Sequence, residues 1–194
     1  MKYLSFDIEA TGLAEHDLII EFGMVPFCTE AQSLKKELTK HFFIKCPAFE
    51  ELSPKLDPWV REHNKTLIEK AHQEGISLEV FKSELISYLE SDLYKNYFNM
   101  PEGKKVTLFG KSLNAIDLPF LNRDLGWEFM RKYFNHQVLD LSSFIMGQVD
   151  LGKLPENCSS GSGLMNYLEM GEVAHTALED AENTALMYLK LLKN

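Results

Sequence analysis

The sequence predicts an α/β fold built on a mixed β-sheet of five strands flanked by helices, and two features of its pattern indicate this. Three short apolar segments lie within the first 45 residues and end at turn residues or prolines, which is typical of an antiparallel meander. After them, segments whose apolar residues recur at helical spacing alternate with short β-type segments. This order of elements is typical of a sheet with both antiparallel and parallel neighbours.

The three early strands are predicted over residues 3–8, 18–25 and 38–45. We expect Pro26 to end the second strand and Pro47 to end the third, because proline donates no hydrogen bond to a neighbouring strand. Each strand would then be joined to the next by a short connection.

A helix is predicted over residues 57–73, where Asp57 is an N-cap residue and Pro58 occupies the first helical position. Gly75 is expected to end this helix. Ser77 then begins a second helix with one buried face. The apolar residues of that face are Leu78, Phe81, Leu85, Tyr88 and Leu89.

In the second half of the chain, residues 105–109 and 138–139 are predicted as strands. The first precedes a helix predicted over residues 114–125, and the second precedes a helix predicted over residues 141–146. Pro119 is compatible with the first of these helices only if it lies in the first turn.

Residues 152–163 are rich in Gly and Ser, and their composition is the most flexible of the chain. No linker divides the sequence, so one domain is expected over residues 1–194. A final amphipathic helix places small and apolar residues on one face. These residues are Ala177, Ala181, Ala185, Tyr188, Leu189 and Leu192.

Composition limits the classes of function. Hydrophobic residues make up 45% of the chain, which excludes a disordered protein, and the formal net charge is −9. This acidic balance argues against a protein that holds long nucleic acids by many phosphate contacts. No apolar segment is long enough for a membrane span, and three scattered cysteines predict neither zinc nor disulfide bonds. A cytoplasmic protein without membrane contact is therefore expected.

The first candidate for chemistry is the pair Asp7 and Glu9, near the end of the first strand. Residues two apart on a strand share a face, so these carboxylates lie close together. They repel each other unless a cation lies between them or one is protonated. Oxygen ligands favour a hard cation such as Mg²⁺ or Mn²⁺. A strand end that faces solvent is an equally good explanation of this pair alone.

Two further candidates lie at predicted helix starts. Asp117 follows a predicted strand, where it would bind a cation or simply complement the helix dipole. Asp180 lies near the start of the last helix, whose alanines allow close packing against the sheet and so bring Asp180 near Asp7. His175 precedes that helix, where an imidazole could lie beside an attacking water molecule. The other five histidines are interpreted as surface or core residues: His16, His41, His63, His72 and His136.

Together these residues resemble the 3′-to-5′ exonucleases of the DEDDh group, which share a ribonuclease H-like fold. Asp7 and Glu9 match the first motif of that family, and Asp117 matches the second. His175 and Asp180 match the third, in which the histidine stands five positions before the aspartate. The motifs span most of the chain, and as a set they are specific.

The resemblance implies hydrolysis of the terminal phosphodiester with the help of two divalent cations, Mg²⁺ or Mn²⁺, and release of nucleoside 5′-monophosphates. Asp7 would bridge both ions, while Glu9 and Asp180 would hold the ion that activates water. Asp117 would reach the other ion. His175 would be the general base, a role that suits the pKa of a histidine.

The resemblance also implies substrate contacts. Backbone groups near Thr11 and Gly12 would hold the 3′ hydroxyl, and Leu13 would wedge against the terminal bases. Asn114 and Phe120 are further candidate contacts.

Within the group, the nearest similarity is to oligoribonuclease. It lies in residues 56–59 with His63, in residues 110–112 and in residues 139–142. Residues 152–171 are instead more similar to ribonuclease T and to proofreading exonucleases, so the preferred substrate stays open.

The expected partner is the 3′ end of single-stranded RNA or DNA, most readily a short oligonucleotide, and a homodimer is left open. Basic residues near the second motif would form a local rim or are simply scattered: Lys104, Lys105, Lys111, Arg123, Arg131 and Lys132. Two other functions are considered. One is a nucleic-acid-binding module of the same fold with weak or no catalysis, which the intact motifs oppose. The other is a metal-dependent hydrolase of mononucleotides, which would need a closed base pocket.

Overall fold

A computed structural model describes residues 1–101, 103–171 and 176–193 of the chain. Its described part is built on a mixed sheet in which β2 lies between β1 on one side and β3 and β4 on the other, and β1 continues to β5 and β6. β1 and β2 are antiparallel, whereas β1, β5 and β6 run parallel. The strands are β1 (Lys2–Ala10), β2 (Ile19–Cys28), β3 (Ser33–Leu34), β4 (Lys40–Phe43), β5 (Leu108–Gly110) and β6 (Leu139–Asp140).

Helices cover both faces of this sheet. In the described residues they are α1 (Phe49–Leu52), α2 (Pro58–His63), α3 (Lys65–Glu74), α4 (Leu78–Glu90), α5 (Asp92–Phe98), α6 (Asp117–Leu125), α7 (Trp127–Tyr133), α8 (Leu141–Asp150), α9 (Gly161–Tyr167) and α10 (Ala177–Leu191). The predicted α/β class with a mixed sheet is confirmed. None of the described helices is long and apolar enough to cross a membrane.

The predicted number of strands was too low, because the two-residue strand β3 carries too few residues to show alternation. The predicted end of the second strand at Pro26 was also wrong. The carbonyl of Pro26 accepts a hydrogen bond from Lys35 N, so this residue faces away from β1. The backbone nitrogen of Pro26, which carries no hydrogen, therefore also points away from β1, towards the gap between β4 and β3. No hydrogen bond between β2 and β1 is lost.

Several other predicted boundaries shift. The third predicted strand is shorter, because residues Lys36–Leu38 form a 3-10 turn before β4. The helix predicted over residues 57–73 divides at Asn64, whose ψ of 9° leaves the helical range, although Asp57 caps α2 as expected. The helix predicted from residue 114 begins at Asp117, which places Pro119 in its first turn.

The Gly- and Ser-rich residues 152–163 are more ordered than their composition suggested. They contain a 3-10 turn at Glu156–Ser159 and the start of α9, and the Ser160 hydroxyl caps that helix by accepting from Gly163 N. Cys158 is buried beneath them. Packing of this buried side chain outweighs the flexible composition.

The alternation of β1 assigns its side chains to the two faces of the sheet. Leu4, Phe6 and Ile8 pack into the core formed with α4 to α7. Tyr3 and Ser5 face the opposite side, where the Ser5 hydroxyl donates to the carbonyl of Ala181 in α10 at 2.6 Å. Because side chains repeat every two residues along a strand, the next two on this side, at positions 7 and 9, also face α10.

Very close contact between α10 and the sheet is possible because small residues line it. Ala177, Ala181 and Ala185 are fully buried. At Gly23, opposite Asp7 on β2, a Cβ would lie 2.2 Å from the backbone nitrogen of Leu178. Any larger residue at position 23 would therefore push the first turn of α10 away from the sheet.

The substitution Gly23→Ala is expected to destabilise the protein by about 1–3 kcal/mol, the usual cost of overpacking a core. Gly147→Ala in α8 is the matched control, because no atom lies within 4 Å of its added Cβ. That change should be neutral or should stabilise the protein by about 0.5–1 kcal/mol. Urea denaturation of both variants measures the difference. Equal stabilities would contradict the contact described at Gly23.

Candidate active site

Three carboxylates meet where the end of β1 approaches the first turn of α10. Asp7 and Glu9 come from the strand and Asp180 from the helix. One oxygen from each carboxylate can be chosen so that all three lie within 4.8 Å of one another, and all three side chains are half-buried. The fold therefore brings Asp180 to two carboxylates that are more than 170 positions away in sequence.

Asp117 lies beside this cluster at the start of α6. It is only 5% exposed, and its Oδ1 accepts a hydrogen bond from the backbone N–H of Ile8 at 3.2 Å. This bond ties the helix to the strand between Asp7 and Glu9. The location of Asp117 at a helix start fits an interaction with the helix dipole. Its contact with β1 also places it next to the other carboxylates.

The crowding of these acids raises their pKa values. For Asp7, burial raises the pKa well above its usual value, and Asp117, Glu9 and Asp180 raise it further, while Lys111 lowers it. Burial, followed by the charge of Asp180, raises the pKa of Glu9 to about 7. Burial also raises the pKa of Asp117 to about 7, against the opposing effect of its backbone hydrogen bonds.

In the metal-free protein, the free energy of unfolding is expected to fall as pH rises from about 4 to about 7. Folded Glu9 and Asp117 keep protons up to about pH 7, whereas their ordinary pKa values are 4.5 and 3.8. The folded state thus binds more protons than the unfolded state across this range, which gives stability a negative slope with pH. Urea denaturation in EDTA at several pH values measures the slope.

The slope should be smaller in Glu9→Gln, which removes one of these groups, and also in millimolar Mg²⁺, because a cation replaces the protons. Stability that rises from pH 4.5 to pH 7 in EDTA would contradict this account.

Lys111, for which the sequence left open a basic rim or a scattered charge, belongs to this site. A cavity of about 330 Å³ is lined by Asp7, Asp117, Asp180 and also by Lys111 and Asn183. Lys111 follows β5 directly and is the cation that lowers the pKa of Asp7. Its location at the end of a strand parallel to β1 was the available signal.

A second residue that was missed is Glu21 on β2, the cross-strand partner of Glu9. It is fully buried, its Oε2 accepts from the backbone N–H of Ala177 at 3.1 Å, and its Oε1 lies 2.5 Å from Nε2 of His41. Ala177 is the first residue of α10, so Glu21 anchors the helix that carries Asp180. His41, interpreted from sequence as an ordinary histidine, is the partner of this buried carboxylate.

The predicted substrate residues after β1 differ in their accessibility. The Thr11 side chain is buried and bonds Asp17 and Leu18 N, both at 2.9 Å. Leu13, in contrast, is 75% exposed. Together with Gly12 and Trp59, it lines a cavity of about 720 Å³ that reaches Glu9. The structure thus places an exposed apolar side chain beside the carboxylate cluster.

The other two predicted substrate residues differ in their exposure to solvent. Asn114 is exposed in the turn before α6. Phe120 is only 5% exposed and packs in the main core, so little of its side chain is accessible to a substrate. Position 120 lies on the inner face of α6, which sequence spacing alone assigned to no particular side.

His175, the predicted general base, lies outside the described residues. Thr176 directly after it caps α10: its hydroxyl accepts from Glu179 N at 3.3 Å.

The donor set of the cluster fits a hard divalent cation. Three carboxylates supply oxygens close together, and Asp117 supplies another nearby. Oxygen-only sites suit Mg²⁺ and Mn²⁺. Burial and mutual repulsion raise the pKa values of Asp7 and Glu9, and a bound cation would favour their charged forms.

No family model and no curated protein sequence matches this chain. Solved structures do match it. Cell-death related nuclease 4 (CRN-4) aligns with a TM-score of 0.71 and 15% identity over 99% of this chain and 64% of CRN-4. The nuclease domain of 3′hExo, a DEDDh family member bound to rAMP, aligns with a TM-score of 0.66 and 14% identity over 99% of this chain and 92% of that domain. Pop2p of S. pombe, in its Mg²⁺ and Mn²⁺ bound form, aligns with a TM-score of 0.67 and 16% identity over 99% and 83%.

These similarities show the fold. It is the ribonuclease H-like fold of the DEDDh exonucleases, and the fold expected from the sequence motifs is confirmed. The chain spans 64% of the length of CRN-4.

Proposed function

We propose that this protein is a divalent-metal-dependent 3′-to-5′ exonuclease, with residues 1–194 forming one nuclease domain. Its substrate is single-stranded RNA or DNA, preferably short, and its products are nucleoside 5′-monophosphates. The observation that carries the proposal is the convergence of Asp7, Glu9 and Asp180 from a strand and a helix far apart in sequence. A nuclease fold with this cluster at the end of β1 supports phosphodiester hydrolysis.

The residues of the cluster have distinct proposed roles. Asp7 would hold two cations, because its carboxylate lies close to those of Glu9 and Asp180 and is also repelled by that of Asp117. When bound, these cations would activate water and neutralise charge on the scissile phosphate. His175 takes the proton of the attacking water. Lys111, whose charge acts on Asp7, attracts the phosphate to the cavity.

Substrate positioning comes from the loop after β1. Backbone groups near Thr11 and Gly12 hold the terminal ribose, and the exposed Leu13 packs against the last bases. Asn114, which is exposed in the turn before α6, contacts the bound nucleic acid. The three cysteines are free and buried, which fits a reducing cytoplasm.

The test is digestion of end-labelled RNA and DNA by the purified protein. We expect 5′-monophosphates to be released from the 3′ end in Mg²⁺ or Mn²⁺, no activity in excess EDTA, and inhibition by a blocked 3′ end only. Full activity in EDTA would contradict the metal-dependent mechanism. Binding without hydrolysis would instead indicate a nucleic-acid-binding module, and attack on mononucleotides alone would indicate a nucleotide hydrolase.

Substrate length and salt provide a further prediction. With a net charge of −9, the protein has few cations for a long backbone, so it should favour short single strands over duplex ends, and RNA should be at least as good as DNA. Affinity should depend weakly on salt, because each phosphate contact steepens the dependence. A cleavage series from dinucleotides upward at two salt concentrations measures both. A rate that keeps rising with length and reaches no plateau would favour a processive enzyme.

A further inference from the structure

A second groove is lined in part by α6, the helix that begins with Asp117. It has a volume of about 620 Å³, and its walls come from α6, from α7 and from residues next to β5 and β6. Its lining includes Asn114 and Leu118, which stand on either side of Asp117 in the chain, and also Lys105 and His136. A strand whose 3′ terminus lies at the cluster could therefore continue past Asn114 into this groove.

The wall formed by α7 presents an exposed aromatic ring. Trp127 is 61% exposed, although tryptophan usually buries most of its surface. The guanidinium of Arg131, one turn later, lies 5.6 Å from the centre of the indole ring. Unpaired bases stack on aromatic rings such as indole and on the planar guanidinium group.

The charge of this groove is opposite to that of the whole chain. No acidic residue lines it in the described part of the protein, whereas Lys105 and Arg131 do. Neither cation forms an ion pair with a carboxylate of the described residues, and the Lys105 ammonium donates to the carbonyl of Arg131. In a protein with net charge −9, a groove with free cations and exposed aromatic surface is complementary to a polyanion with flat bases.

We propose that this groove binds the nucleotides upstream of the 3′ end of a single-stranded nucleic acid, with a base stacked on Trp127 and a phosphate held by Arg131. The inference rests on the proposed exonuclease function and deepens it. The groove adds affinity for strands long enough to reach it, and it adds none for a dinucleotide. Cleavage efficiency then rises with length until the groove is filled and stays constant beyond that length.

Binding is tested first by fluorescence, independently of cleavage. The chain has two tryptophans, so Trp59→Phe leaves Trp127 as the only one. Oligonucleotides of two to ten nucleotides with phosphorothioate linkages are titrated into this variant. We expect quenching of Trp127 by the longer strands and little by the dinucleotide. Equal quenching by the dinucleotide, or quenching by a polyglutamate peptide and not by oligonucleotides, would overturn the proposal.

Cleavage is tested second. Trp127→Ala should lower the ratio of kcat/KM for an octanucleotide to that for a dinucleotide by roughly 5- to 150-fold, the usual effect of removing a stacking aromatic residue. Arg131→Gln should lower the same ratio and make affinity less dependent on salt. Lys132→Gln is the matched control, because it removes a charge from the same helix outside the groove. An unchanged ratio in Trp127→Ala would overturn the proposal.

These experiments distinguish a failure of the proposed groove from a failure of the proposed exonuclease function. Quenching of Trp127 by oligonucleotides without any hydrolysis would contradict the exonuclease function and support the groove. Hydrolysis with a normal length dependence in Trp127→Ala would support the exonuclease function and contradict the groove.

Discussion

Asp7→Asn is expected to reduce hydrolysis by at least about 10³-fold and to weaken Mg²⁺ binding at the same time. Loss of an outer partner of a metal ligand already costs roughly 10–100-fold, and Asp7 is proposed as a direct ligand of both ions. The metal-free variant should nevertheless be more stable than the unsubstituted protein. Its amide stays neutral, whereas burial, followed by the charges of Asp117, Glu9 and Asp180, disfavours the ionised form of Asp7 in the folded state.

Calorimetric titration with Mg²⁺ and Mn²⁺, together with melting temperatures in EDTA and in Mg²⁺, measures these effects. The unsubstituted protein should gain stability with Mg²⁺, because an ion that binds only the folded state stabilises it. Asp7→Asn should lose that gain. Asp150→Asn, at the exposed end of α8, is the control and should retain it. Unchanged metal affinity in Asp7→Asn would refute its role as a ligand.

His175→Ala is expected to lower turnover by about 10²–10⁴-fold, the usual contribution of a general base. Metal binding should persist, because His175 is not a proposed ligand. In the presence of saturating Mg²⁺, the rate of the unsubstituted protein should rise with pH through the pKa of a histidine, near 6.5, as the imidazole becomes able to accept a proton. That rise should be absent from His175→Ala.

Single-turnover rates from pH 5 to 8, with calorimetry of the same samples, separate the two roles. His175→Ala and Asp7→Asn should differ in metal affinity although both lose activity. The same loss of metal affinity in both variants would show that His175 acts as a ligand, contrary to the proposal.

Structural features that depend only on residues close together in the sequence were predictable from the sequence. Asp57 caps α2 as expected, and Ser77, where the second helix was predicted to begin, caps α4, because an N-cap side chain bonds an N–H two or three residues later. Pro119 lies in the first turn of α6, where a helix tolerates proline because the N–H it lacks would have no partner within the helix. Pro26 was interpreted wrongly because the side of the strand it faces depends on which partner lies there, and β3 was missed because two residues carry no periodicity.

The candidate site also combines features that follow from local sequence with features that depend on tertiary contacts. The sequence by itself determined the types and spacing of the acidic residues, and with them the resemblance that implied the fold. Only the tertiary structure placed Phe120 inside the core, Lys111 in the carboxylate cavity and Glu21 against the start of α10. These placements arise from contacts between residues distant in sequence.

What brings Asp180 to Asp7 is the close packing of α10 on the sheet, which requires the alanines of the helix and also Gly23 on another strand. The alanine spacing was visible in the sequence, but the partner that it packs against was not. The groove beside Trp127 likewise exists only because α6 and α7 fold together next to β5. Local patterns determine which groups a chain carries, whereas long-range packing determines the distances between them, and the pKa values and cavities follow from those distances.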